Sequence, residues 1–135
     1  MFYKSNIRAE ITGTLEKFRI ASEDGNYENK LPVCPVEVTL ALISNKWKIL
    51  IMRDLLEGTK RFGELKKSVT NISQKVLTAN LREMEENGLL TRKIYPEVPP
   101  RVEYTLTETG YSLSPLINEM YKWGKDYKEK MMKAL

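Results

Sequence analysis

The chain has 135 residues, 41% hydrophobic and 30% charged, enough apolar material for one folded domain and too much for disorder to dominate. No stretch approaches the roughly 18 uninterrupted apolar residues of a membrane span, and Arg8, Glu10, Lys17 and Arg19 interrupt any signal-peptide block, so a cytoplasmic protein without membrane contact is expected. The single cysteine, Cys34, cannot close an internal disulfide, and the net charge of +4 is small enough that its distribution matters more than its size.

Ile7, Ile11, Leu15 and Phe18 recur at helical spacing and predict a helix within an N-terminal extension, residues 1–33, although Gly13 weakens it. A polar loop, EDGNYENKLP, follows. Pro35 suits the first position of the next helix, which makes Cys34 its cap, and Val38, Leu42 and Ile43 give that helix a short apolar face before Ser44 and Asn45 interrupt it. From Lys46 to Glu57, Trp47, Ile49, Leu50, Ile51, Met52, Leu55 and Leu56 surround the helix on nearly every side, which marks a buried core helix stopped by Gly58. Phe62, Leu65 and Val69 predict a third, short amphipathic helix. A turn at Thr70 and Asn71 follows, and then Ser73 as the cap of a longer helix.

That longer helix, ISQKVLTANLREMEENGLL, carries its charges in reverse order. Acids ordinarily gather in the first turn and bases in the last, because the helix dipole leaves partial positive charge at the start. Lys75 occupies the first turn instead, and Glu83, Glu85 and Glu86 occupy the last turns. At about 100° per residue, Leu77, Leu81 and Met84 share one face while Lys75, Thr78, Ala79 and Arg82 share the opposite one. Residues 60–103 hold nine bases against six acids, and the rest of the chain is close to balance. After Gly88 come two expected strands, about 90–95 and 101–107, joined by PEVPP, whose three prolines lack amide hydrogens and make a stiff exposed tip. The chain closes in a helical pattern of Leu113, Leu116, Ile117, Met120, Tyr127 and Met131, with Pro115 either starting or kinking it.

Two short helices at a turn, the second with an exposed basic face, followed by a two-stranded hairpin, describe a winged helix-turn-helix: a mainly α fold with a small β-hairpin wing. Residues 34–107 form its core and 108–135 a C-terminal helix. A helix whose N-terminus points into a major groove meets phosphates and base edges, and an acid there would repel them. Double-stranded DNA as the partner therefore accounts for the reversed charges. Ser73, Gln74, Lys75, Thr78 and Arg82 are the candidate DNA-binding residues on the helix, with Arg61 in the basic third and Arg101 at the wing tip. The plain competitor is a solvated basic face, and for Arg101 an exposed strand end.

The stretch from Cys34 resembles the HxlR-type transcriptional regulators, relatives of the MarR group, through CP, KW, RFGEL, ISQKVL and YPEVPPRVEY in that order. The likeness runs to about Gly124, roughly two thirds of the chain. It implies a homodimeric winged-helix DNA-binding protein that represses or activates nearby genes. Some relatives sense oxidants or electrophiles through a cysteine near the first helix of the shared region, and Cys34 matches that position. Ser44 and Asn45 depart from the pattern, standing where two glycines are usual, and the segment before Cys34 is longer than the resemblance implies.

The two terminal segments carry more apolar surface than a small winged helix can cover. A two-fold dimer built from them is expected, on an operator with half-sites about 34 to 36 Å apart or a multiple of one helical turn. Cys34 at a helix N-terminus would sit where the dipole favours negative charge and attack on electrophiles, with Glu37 in the same turn opposing this. Its alternative reading is a half-buried cap of no redox consequence. Catalysis has no basis in the residues: there is no histidine, one cysteine, no metal-ligand set, no phosphate-binding glycine loop, and Glu85 and Glu86 point in different directions. No cofactor or metal is expected, and no effector can be named. The alternative from another class is a winged helix used as a protein-interaction module without DNA binding.

Overall fold

The computed structural model describes residues 19–21, 27–29 and 31–135. The helix expected around Ile7, Ile11, Leu15 and Phe18 lies outside the described residues. Within the stretch read as a polar loop, β2 (Tyr27–Asn29) pairs antiparallel with β1 (Arg19–Ala21), Ile20 opposite Glu28. Strands of three residues are too short to show an alternation, so composition alone reads them as loop.

Pro35 opens α1 (Pro35–Ile43), where its missing amide costs nothing because no carbonyl precedes it in the helix. Asn45 then takes a φ of 97°, and its Oδ1 accepts the N–H groups of Trp47 and Lys48 at 3.0 and 3.1 Å, which caps α2 (Lys46–Leu55). A glycine would supply the same backbone freedom without the cap. Ile51, Met52 and Leu55 of α2 are fully buried, Trp47 packs half-buried against them, and Lys46 and Arg53 face solvent, so burial is broad but not complete. Gly58, with φ of 139°, carries the chain out of α2.

Residues Lys60–Arg61 form β3, which the sequence did not suggest, and lead into α3 (Phe62–Ser68). Asn71, with φ of 68°, turns the chain, and Ser73 Oγ accepts Val76 N–H at 3.1 Å to start α4 (Gln74–Glu86). The hairpin of β4 (Leu90–Tyr95) and β5 (Arg101–Leu106) follows in the expected place, Leu90 opposite Leu106 and Tyr95 opposite Arg101. Because β3 adds to the free edge of β5, the sheet has three antiparallel strands in the order β3-β5-β4. A two-residue strand leaves no period to read. Two further helices close the chain, α5 (Glu108–Tyr111) and α6 (Ser114–Ala134). Pro115 sits in the first turn of α6, so it starts the helix.

The core lies where α2, α3 and α4 meet the inner face of the sheet. Leu77, Leu81 and Met84 of α4 are 2% exposed or less, each worth about 1.5 to 3 kcal/mol of burial, enough to decide which way the helix turns. Thr107 locks the other side of α4: its hydroxyl donates to Gly88 O at 2.6 Å and accepts Gly110 N–H at 3.1 Å. Gly110 must be glycine, since a Cβ there would run into the Leu89 carbonyl.

Polar ties cross the same core. Lys48 is only 2% exposed, and its ammonium reaches Glu83 Oε2 of α4 at 2.6 Å. Asn45 Nδ2 donates to Asn80 Oδ1 at 3.0 Å, and Asn80 Nδ2 donates to Val76 O at 2.8 Å. Between α2 and α3, Ser68 Oγ donates to the buried Asp54 at 2.6 Å. Glu83 is 56% exposed, so its pairing lies between a surface ion pair, worth up to about 1 kcal/mol, and a fully buried one, worth about 3 to 5 when broken. Glu83→Gln should destabilise the protein by roughly 2 kcal/mol in urea unfolding, and pairing Glu83→Leu with Lys48→Met should recover most of that loss.

Candidate nucleic-acid interface

With the apolar face of α4 turned inward, Ser73, Gln74, Lys75, Thr78, Ala79 and Arg82 all emerge on the exposed side. Five of them are the helix residues expected from the sequence, and Ala79 keeps the middle of the stripe low. Neither Lys75 nor Arg82 takes part in an ion pair among the described residues, so both cations face outward available to a partner. The first turn of α4 holds no acid. Its C-terminal carbonyls are satisfied by the backbone: Gly88 N–H donates to Glu85 O at 3.0 Å and Leu89 N–H to Met84 O at 2.9 Å, with Gly88 at φ of 71°. The helix therefore needs no basic residue in its last turn, and it has none.

Its acids have structural work of their own. Glu83 holds Lys48, and Glu85 Oε2 lies 3.4 Å from Arg92 Nε on β4, linking the helix to the wing. Arg92 and Tyr104 face each other across the β4–β5 ladder. Together with Thr78, Leu81, Arg82 and Glu85 they line a cavity of about 110 Å³ at the junction of helix and wing. Burial pushes the Tyr104 phenol above its ordinary value, partly countered by the Arg92 cation and reinforced by the Glu85 carboxylate, so it stays a neutral hydroxyl. The sequence reading did not single out Arg92 or Tyr104 as site residues. The signal available was their shared register on neighbouring strands, and that needs the pairing to be known.

Arg61 and Arg101 are brought together in a cleft that no residue of α4 lines. Arg61 is the exposed cap residue of α3, its backbone N–H donating to Glu64 Oε1 at 3.3 Å, and it pairs through β3 with Glu103 of β5. Both arginines line a cleft of about 530 Å³ between the start of α3 and the wing tip, with Phe62, Val98 and Pro99. Arg101 is less available than a strand end at a tip suggested. Its guanidinium lies 4.0 Å over the Tyr95 ring, with Glu97 at 3.3 Å and Glu103 at 3.5 Å. Its Nε is buried and makes no hydrogen bond. A phosphate reaching Arg101 would have to compete with two carboxylates already in place. Lys93, 4.9 Å from the same ring, adds a second cation to the wing.

Cys34 is the N-cap residue of α1, as Pro35 at the helix start requires, but it is exposed and not half-buried, and its side chain makes no capping hydrogen bond. On α6 only Ile117 is buried, whereas Met120, Tyr121, Trp123, Tyr127 and Met131 are exposed, the Trp123 and Tyr127 rings stacked at 5.2 Å. Val36 and Leu40 of α1 are exposed as well. No helix among the described residues is long and apolar enough to cross a membrane.

Comparison with known proteins gives a consistent picture. A family model described as HxlR-like helix-turn-helix matches residues 42–132. The HTH-type transcriptional regulator YdeP of Bacillus subtilis (strain 168) is 47% identical over 100 residues, 74% of this chain and 78% of that protein. Among solved structures, the redox regulator HypR in its oxidized form superposes with a TM-score of 0.65 at 44% identity, covering 69% of this chain and 96% of that one. Its reduced form superposes with a TM-score of 0.69 at 40% identity, covering 74% and 99%.

Proposed function

The chain belongs to the HxlR-like helix-turn-helix family, and from that premise we propose that it regulates transcription by laying α4 in the major groove of operator DNA, in the cytoplasm. The observation that carries this reading is the exposed stripe of Ser73, Gln74, Lys75, Thr78 and Arg82 on a helix whose opposite face is fully buried and whose acids are held at its far end. Lys75 and Gln74 can donate to phosphate or base edges as α4 enters the groove, Thr78 and Ala79 permit close approach, and Arg82 extends the contact along the helix. Arg61 supplies positive charge on the flank, toward the backbone, and Arg101 reaches the minor groove or a phosphate only by leaving Glu97 and Glu103. The reading calls on no catalytic step, metal or cofactor.

Residues 34–107 form the DNA-reading unit and 108–135 the dimerisation element, together with the extension over residues 1–33. The exposed Met120, Tyr121, Trp123, Tyr127 and Met131 support a two-fold dimer, because a monomer in water gains by covering such a face. Two copies of α4 then read half-sites about 34 to 36 Å apart, or a multiple of one turn. Cys34 lies at the exposed start of α1, the helix that also exposes Val36 and Leu40. HypR is named a redox regulator, and on that likeness Cys34 is the redox- or electrophile-responsive residue of this chain. With one cysteine per chain, its oxidised form is a disulfide to the partner subunit, a mixed disulfide with a small thiol, or an adduct.

Arg82→Ala and Lys75→Ala should each weaken operator binding by about 1 to 3 kcal/mol where the side chain touches base edges, and less but uniformly across sequences where it touches phosphate alone. Unchanged affinity in both, with normal melting, would remove α4 from the groove, and absence of duplex binding that weakens steeply with salt would favour a protein-interaction module. Light scattering at micromolar concentration should give the mass of two chains. Diamide or a quinone should change the operator affinity of the wild type and leave Cys34→Ser unaffected; an equal response in both would exclude Cys34 as the sensor.

A further inference from the structure

The junction between α4 and the wing is built around an anion that belongs to the protein itself. Glu85 Oε2 sits 3.4 Å from Arg92 Nε, at the wall of the 110 Å³ cavity that Thr78, Arg82 and Tyr104 also line. Three features make this more than a surface ion pair. The cavity shares Thr78 and Arg82 with the exposed stripe of α4, so it opens beside the surface read above as DNA-facing. The lining carries two guanidinium groups, Arg92 in contact with the carboxylate and Arg82 unpaired among the described residues, against the one carboxylate of Glu85, which leaves a net positive charge, and Tyr104 and Thr78 each bring a hydroxyl. The Glu85–Arg92 pair is also half open to water, with side chains 40% and 47% exposed, so little holds it closed against a competing anion.

We propose that this junction is a seat for one backbone phosphate of the bound duplex, in which Arg92 exchanges Glu85 for a phosphate oxygen, the Thr78 and Tyr104 hydroxyls donate to it, and the charge of Arg82 favours it. This deepens the DNA-binding reading and rests on it. Glu85 is then the placeholder that occupies Arg92 while no DNA is bound. Because a phosphate oxygen is the same at every base step, the seat contributes equally on any duplex, and the energy spent displacing Glu85 lowers non-specific and specific binding alike. The Tyr104 phenol is neutral and able to donate throughout the physiological pH range, as an ordinary phenol is, and burial only moves it further in that direction. Arg92 also joins the wing to the recognition helix in both states, first through Glu85 and then through the phosphate, so the wing keeps its position as DNA arrives.

The test is duplex binding measured against salt for the full-length protein, on operator and on unrelated DNA. Arg92→Gln should weaken both duplexes about tenfold and lower the slope of log affinity against log salt by about 1. Arg92→Lys, which keeps the charge, should keep the slope. Glu85→Gln should act in the opposite sense, binding both duplexes more tightly than the wild type. A wild-type slope in Arg92→Gln, or weaker binding in Glu85→Gln, would overturn the seat and leave α4 in the groove untouched. Absence of salt-dependent duplex binding by the wild type would instead overturn the DNA-binding reading itself. Thermal melting of each variant, followed by circular dichroism, separates both results from loss of fold.

Discussion

A lysine ammonium taken out of water must find an anion, and Lys48 finds it on α4. That constraint organises the half of the molecule built by α2 and α4. The 2.6 Å contact from Lys48 Nζ to Glu83 Oε2 ties α2 to the far end of α4, and the Asn45–Asn80 hydrogen bond ties the same two elements about one turn earlier. Apolar packing by Leu77, Leu81 and Met84 selects a face but tolerates small rotations and slides, because it has no direction. Ion pairs and hydrogen bonds have direction, and two of them a turn apart set the helix angle. The orientation of Lys75, Thr78 and Arg82 toward solvent follows from what is tied down behind them.

The reversed charge order of α4 thus has two causes that agree. The proposed entry into a groove calls for a first turn without acids, and the last turns supply acids to Lys48 of α2 and to the wing through Glu83–Lys48 and Glu85–Arg92. The dipole at the C-terminus is not neglected either. Backbone capping through Gly88 and Leu89 closes the carbonyls that basic side chains would otherwise have to serve. The two ion pairs differ in character. Lys48 is sealed from water and contributes to stability, whereas the Arg92 pair is half open and free to exchange.

The wing is held at more points than a bare hairpin. Arg101 is clasped by Tyr95 and two carboxylates, and β3 joins β5 to the start of α3, so the wing is tied to the helix-turn-helix through the sheet. On the C-terminal helix, by contrast, Met120, Tyr121, Trp123, Tyr127 and Met131 stay exposed among the described residues, with the Trp123 and Tyr127 rings stacked on each other.

Sequence alone settled the elements whose burial has a period. The 3.6-residue spacing of Leu77, Leu81 and Met84, the ring of apolar residues on α2, the Ser73 and Pro35 start signals and the prolines of the wing tip each reported the local structure that formed, as did the family to which the motifs point. It also separated the exposed stripe of α4 from its core face, because on a helix facing follows from spacing. Tertiary structure decided what depends on partners far apart in the chain. The addition of Lys60–Arg61 to β5, the burial of Lys48 against Glu83, the clasp on Arg101, and the meeting of Arg92, Tyr104 and Glu85 join residues by strand register and helix packing, which leave no period in the sequence. The physical reason is that an isolated charge reads the same in a sequence whether it will be solvated or paired. Only the fold determines how much water reaches it.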